Sequence, residues 1–137
     1  MRRFQPAALT VALFAALVLP GCIPRPVSQV GLRGTWTGTA AQYDSGTVAG
    51  TPDSEWTVVV TIDRTPRVSY PSLGCSGRLD YRTMAGTSTV YEETITQGQD
   101  RCAPTGTVTL TPDGLDLLYE ASHESQPSVS VARLTRR

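Results

Sequence analysis

The chain contains no lysine, and histidine occurs once, at His123. Its twelve basic residues are therefore all arginine, and twelve acidic residues balance them to a formal charge of zero. Nucleic-acid binding normally needs a basic stripe, and the chain has none, which excludes a nucleic-acid partner. One histidine, and three cysteines without a Cys-x-x-Cys spacing, leave zinc short of ligands. Asp44, Asp53 and Asp113 are spaced as turn residues, not as a calcium loop. No metal and no cofactor is expected.

Catalytic patterns are missing as well. There is no nucleophile elbow, and Ser122, His123, Glu124 and Ser125 are consecutive residues. A serine-type triad needs a base that reaches a nucleophile and is oriented by a third group. Adjacent loop residues do not supply that geometry, so His123 reads as a solvated loop residue. Glu92 and Glu93 are neighbours. In a strand they point to opposite faces, so they cannot form the facing carboxylate pair of a glycosidase. Glu93 shares a side with Tyr91 and Ile95 and needs Arg78, Arg82 or Arg101 as its partner if it is buried. The protein is expected not to be an enzyme.

What is present begins with an address. Arg2 and Arg3 precede an apolar stretch, Ala7 to Leu19, interrupted only by Thr10. A helix over that stretch spans roughly 20 Å at about 1.5 Å per residue, short of the ~30 Å core of a bilayer. Leu19-Pro20-Gly21-Cys22 then resembles a bacterial lipobox, with proline an unusual occupant of its second position. The resemblance implies a signal peptide over residues 1–21 and lipid attachment at Cys22. One acyl chain binds a membrane only marginally, and bacterial lipoproteins carry two or three. The implied location is the cell membrane or the outer membrane, facing the periplasm or the exterior. Residues 22–31 form the acylated cysteine and a short tether; Ile23 to Val30 contains two prolines and reaches at most roughly 25–30 Å.

Without Arg2 and Arg3 the remaining chain has a formal charge of −2. Both phenylalanines, Phe4 and Phe14, lie in the leader, so the later aromatics are Trp36, Trp56 and five tyrosines. Assigning Cys22 to lipid leaves Cys75 and Cys102 as an even pair in an oxidising compartment, where a disulfide is expected. Two free thiols or a metal site are the alternatives.

No stretch after the leader repeats every 3.6 residues, whereas alternation at period two recurs throughout. Expected strands are Arg33–Ala40, Glu55–Ile62, Arg67–Tyr70, Gly77–Thr83, Ser88–Thr96, Gly106–Thr111, Leu115–Ala121 and Val129–Leu134. Threonine fills many of the alternate positions, as suits a pleated, half-buried surface. The polar, Gly-containing segment Gln42–Ser54 reads as a loop, and Thr111-Pro112-Asp113-Gly114 as a turn. Residues 32–137 are therefore expected as one all-β domain of about eight short antiparallel strands. They form an up-and-down meander closing as a small calycin-like barrel, with a β-sandwich as the alternative.

Gly34-Thr35-Trp36-Thr37-Gly38, the block Tyr70-Pro71-Ser72-Leu73-Gly74-Cys75-Ser76-Gly77, and Glu92-Glu93-Thr94-Ile95 followed by Arg101-Cys102 together resemble a small extracytoplasmic β-domain. It occurs in bacterial lipoproteins and at the outer ends of some actinobacterial serine/threonine kinases. The likeness spans Gly34 to Leu134, and Gly-x-Trp-x-Gly also opens lipocalins and avidins. The resemblance implies the fold and the location and hints at sensing or ligand binding; with the tether and the missing catalytic pattern, a non-enzymatic binding or interaction module at the cell envelope is expected. Its partner is an envelope protein, or a small apolar ligand in a cavity lined by Trp36, Trp56, Tyr81 and Tyr91. Ala85-Gly86-Thr87-Ser88-Thr89-Val90-Tyr91 is in turn similar to a Ser-Gly motif of lipoproteins that block lysozyme through a disulfide-pinned loop. An inhibitor of lysozyme or of another envelope-attacking enzyme is the alternative expectation.

Overall fold

Alternating β-branched and apolar residues fold as the pattern requires. A computed structural model describes residues 31–137; the expected leader, lipid attachment at Cys22 and the expected tether up to Val30 lie outside the described residues. The eight strands are β1 (Gly34–Tyr43), β2 (Ser54–Ile62), β3 (Arg67–Tyr70), β4 (Cys75–Ala85), β5 (Ser88–Gln97), β6 (Thr105–Asp113), β7 (Asp116–His123) and β8 (Gln126–Arg136). Each pairs antiparallel with the next, and β1 pairs with β8 to close the barrel. A sandwich is thereby ruled out. Closure gives every strand a neighbour on both sides, although short β3 pairs only with Val59–Thr61 of β2 and Cys75–Arg78 of β4.

One residue in two points inward. Val58, Val60 and Ile62 of β2, Val108 and Leu110 of β6, and Leu117 of β7 are all buried. Burying a side chain of this kind stabilises by about 1.5–3 kcal/mol. The out-facing threonines of β1, β2 and β6 cover the wall.

The two ends of the barrel differ. At one end Leu32 is buried beneath the strands, and its carbonyl accepts a hydrogen bond from Trp36 Nε1 at 2.8 Å. The Arg136 guanidinium lies 4.4 Å from the centre of the Trp36 ring. It donates to the carbonyls of Arg33 (2.5 Å) and Gly31 (3.0 Å). The end of the last strand thus clasps the start of the described chain across this closed end, and cation–π attraction adds to the hydrogen bonds. At the other end the β1–β2, β3–β4, β5–β6 and β7–β8 connections surround an open mouth.

Several boundaries differ from the sequence expectation. β4 starts at Cys75 and β8 runs from Gln126 to Arg136, each longer than expected. Pro112 stays inside β6, opposite Leu117, and the turn is Gly114-Leu115, with Gly114 at φ 62°. In a two-residue hairpin the flanking Asp113–Asp116 pair carries the hydrogen bonds, so the next pair needs no donor from Pro112. Leu115, expected to begin the seventh strand, is instead 92% exposed at the tip of that turn.

Candidate functional site

Because strands 1, 3, 5 and 7 all run toward the mouth, their last inward residues converge there. The mouth opens into a cavity of about 330 Å³. Trp56, Leu73, Ile95 and Ala121 supply apolar wall, while Tyr70, Glu93 and Tyr119 form a polar floor. Arg101, His123 and Glu55 also line it.

The floor is a hydrogen-bonded chain. Tyr70 donates its hydroxyl to Glu93 Oε1 at 2.5 Å, and the Tyr70 and Tyr119 hydroxyl oxygens are 2.8 Å apart. A phenol has one proton to give. Tyr70 spends it on Glu93, so Tyr119 must donate to Tyr70. All three residues are buried, Glu93 at 1% exposure. Burial pushes the Glu93 carboxyl above the usual carboxylate range, opposed by the Tyr70 hydrogen bond and by a protonated His123. Burial likewise raises both tyrosines, and the neighbouring Glu93 charge raises them further.

Two polar atoms at the cavity are not paired. Glu93 lines the cavity, and its Oε2 has no hydrogen bond among the described residues. The indole nitrogen of Trp56 is enclosed and has no acceptor. Buried polar groups are nearly always satisfied, so such atoms are the chemically distinctive part of this molecule.

The rim is held covalently. Cys75 and Cys102 form a disulfide (S–S 2.07 Å) joining the start of β4 to the β5–β6 connection. Gly98, at φ 74°, lies against this staple; a Cβ there would meet the Gly74 carbonyl at 2.5 Å and Cys75 Sγ at 3.0 Å. His123 ends β7 at the rim, and its Nδ1 donates to the Thr105 carbonyl at 3.0 Å. The ring fits because Gly106 has no side chain; a Cβ there would come within 2.6 Å of Nδ1.

Of the expected ligand-binding aromatics, only Trp56 lines this cavity. Trp36 is buried at the closed end. Tyr91 is buried in the barrel, and Tyr81, 47% exposed, meets it edge to face beside a β4 bulge. The expected arginine partners of Glu93 are engaged elsewhere. Arg78 pairs with Asp80, Arg82 with Glu92, and Arg101 lies near Asp100 and donates to the Gly74 carbonyl. Tyr70 and Tyr119 were missed as site residues, since nothing local marks two tyrosines far apart in sequence as partners across a barrel. The two features suggesting a lysozyme inhibitor are at opposite ends: Ala85–Tyr91 begins at the closed-end β4–β5 turn, while the pinned loop rims the mouth.

An open groove of about 440 Å³ on the outer wall, bordered by Leu118, Glu120, Val131 and Arg133, contains neither unpaired atom. Among the described residues no three His, Cys, Asp or Glu side chains cluster as a metal site requires. In comparisons with known proteins the chain matches no family model, no curated relative and no solved structure.

Proposed function

We propose that this protein is a lipid-anchored envelope lipoprotein whose barrel mouth holds a small ligand without converting it. The observation that carries the binding half is the cavity of about 330 Å³ with Glu93 Oε2 unpartnered at its floor. Its size and its mixture of apolar wall and few polar groups match small-molecule sites in general. A non-catalytic role is supported by His123, which hydrogen-bonds a backbone carbonyl and not a nucleophile. The anchoring half rests on the resemblance of Leu19–Cys22 to a lipobox.

Tryptophan emission tests the binding half, because Trp56 lines the cavity and Trp36 sits at the far end. Titration with small amphiphiles is expected to give a saturable shift that Trp56→Phe abolishes. A flat titration removes the reading. For the anchor, radiolabelled palmitate is expected to mark the parent protein but not Cys22→Ser, which leaves the membrane fraction. Equal membrane retention of both forms rejects lipidation.

A further inference from the structure

The Tyr70–Glu93–Tyr119 floor offers acceptors, while donors of Gln42, Arg101, Gln126 and Ser130 also line the cavity. Tyr119 gives its proton to Tyr70, and Tyr70 gives its own to Glu93. Lone pairs on the Tyr119 hydroxyl and on Glu93 Oε2 therefore remain, and the Trp56 N–H is enclosed. Glu93 also lacks a cation: among the described residues no arginine or histidine lies within ion-pair distance of it. A buried carboxyl without a cation is costly in its charged form. The rings of Trp56, Tyr70 and Tyr119 line the same cavity.

We propose that the mouth is a receptor site for a small amphiphile with an ammonium head, which enters head first to pair with Glu93 between the aromatic walls. An ammonium carries three donors and no acceptor, the complement of this floor. Aromatic faces attract cations, most strongly when water is excluded. An anion or a carbonyl would meet lone pairs in their place. The apolar body of the ligand would lie against Leu73, Ile95 and Ala121 toward the rim. This inference rests on the mouth being the ligand site and adds the chemistry of the ligand.

A proton linkage follows. Pairing requires ionised Glu93, whose carboxyl is held protonated to higher pH than usual by burial. Below that titration the affinity for the amine falls about tenfold per pH unit. Tyr70, Tyr119 and His123 face Glu93, with Glu55 and Arg101 at the rim. His123 acts on the Glu93 charge, so the profile is repeated in His123→Gln.

The decisive experiment is calorimetry on the purified full chain with three ligands sharing one skeleton: 2-phenylethylamine, 2-phenylethanol and phenylacetate. The amine is expected to bind at least about tenfold more tightly than the alcohol, and phenylacetate not at all. Glu93→Gln is expected to erase the preference for the amine over the alcohol. Only the amine should weaken toward acid pH, in His123→Gln as in the parent. If Glu93→Gln does not fold, the pH profiles decide alone. Alcohol binding equal to the amine, a preference surviving in Glu93→Gln, or an amine affinity flat with pH overturns the ammonium site and leaves the mouth as a binding cavity. Silence of all three ligands into the millimolar range overturns both.

Discussion

At Glu93 the balance of forces has a measurable sign. Between the ordinary glutamate value of 4.5 and the raised folded value, the folded protein keeps a proton that the unfolded chain has released. Stability therefore falls as pH rises through that window, and the loss is absent below the unfolded value. Glu93→Gln keeps the shape and a carbonyl that can accept from Tyr70, but it cannot ionise. It should melt a few degrees above the parent at neutral pH, with the gap closing as the pH falls below the ordinary glutamate value of 4.5. A constant gap across pH in thermal scans would contradict the assignment. The neighbouring tyrosines should rank in order. Tyr70→Phe strands partners on both sides and should cost about 1–3 kcal/mol, while Tyr119→Phe removes only the end of the chain and should cost about 0.5–1.5. Urea unfolding of the two variants checks this. At this scale the sequence was half legible. Alternation placed Glu93 inward beside Tyr91 and Ile95, as found. It could not say that Tyr70 and Tyr119, on β3 and β7, lie across the barrel from it, because strand periodicity reports a face and not what occupies the opposite wall. An arginine was the reasonable local partner, and each candidate arginine is engaged elsewhere.

Individual elements were legible where their chemistry is local. Alternation along the expected strand Glu55–Ile62 puts Trp56, Val58, Val60 and Ile62 on one face; the last three are in the core and Trp56 packs against it at the mouth. Where strand and turn compete, the signals misled: Pro112 looked like a terminator but occupies a position in β6 that needs no donor. Cys75 likewise lay outside the expected strand Gly77–Thr83, whereas it is the first residue of β4 and pairs with Tyr70. The disulfide spans a sequence separation of 27, so chain entropy alone makes it worth about 3.5 kcal/mol. It also fixes one side of the mouth. Replacing both cysteines by serine should lower stability by about 2–4 kcal/mol and weaken mouth ligands, leaving the Trp36 end folded. Far-ultraviolet circular dichroism, urea unfolding and ligand titration separate these effects; undiminished ligand affinity would mean that the rim holds its shape without the staple.

The molecule as a whole joins these pieces through its polarity. Gly31 and Leu32, where the described chain starts, lie at the closed end under the Arg136 clasp, and the mouth is at the opposite end. β1 has ten residues; at about 3.3 Å per residue and a tilt near 40°, the barrel stands roughly 25 Å tall. If lipid on Cys22 tethers the chain, the closed end sits nearer the bilayer and the mouth opens away from it. The tether, reaching at most roughly 25–30 Å, allows the barrel to tilt but leaves its attached end closer on average. Ligand would then arrive from the aqueous side, in keeping with a charged head and a small body. Two labelling sites make this measurable: exposed Leu115, in the closed-end β6–β7 turn, and exposed Ser125, in the β7–β8 turn at the mouth. With a dye on Leu115→Cys or Ser125→Cys and acceptor lipids in vesicles carrying the acylated protein, energy transfer should be stronger from position 115. Stronger transfer from position 125 would turn the mouth to the membrane and make the bilayer itself the source of the ligand.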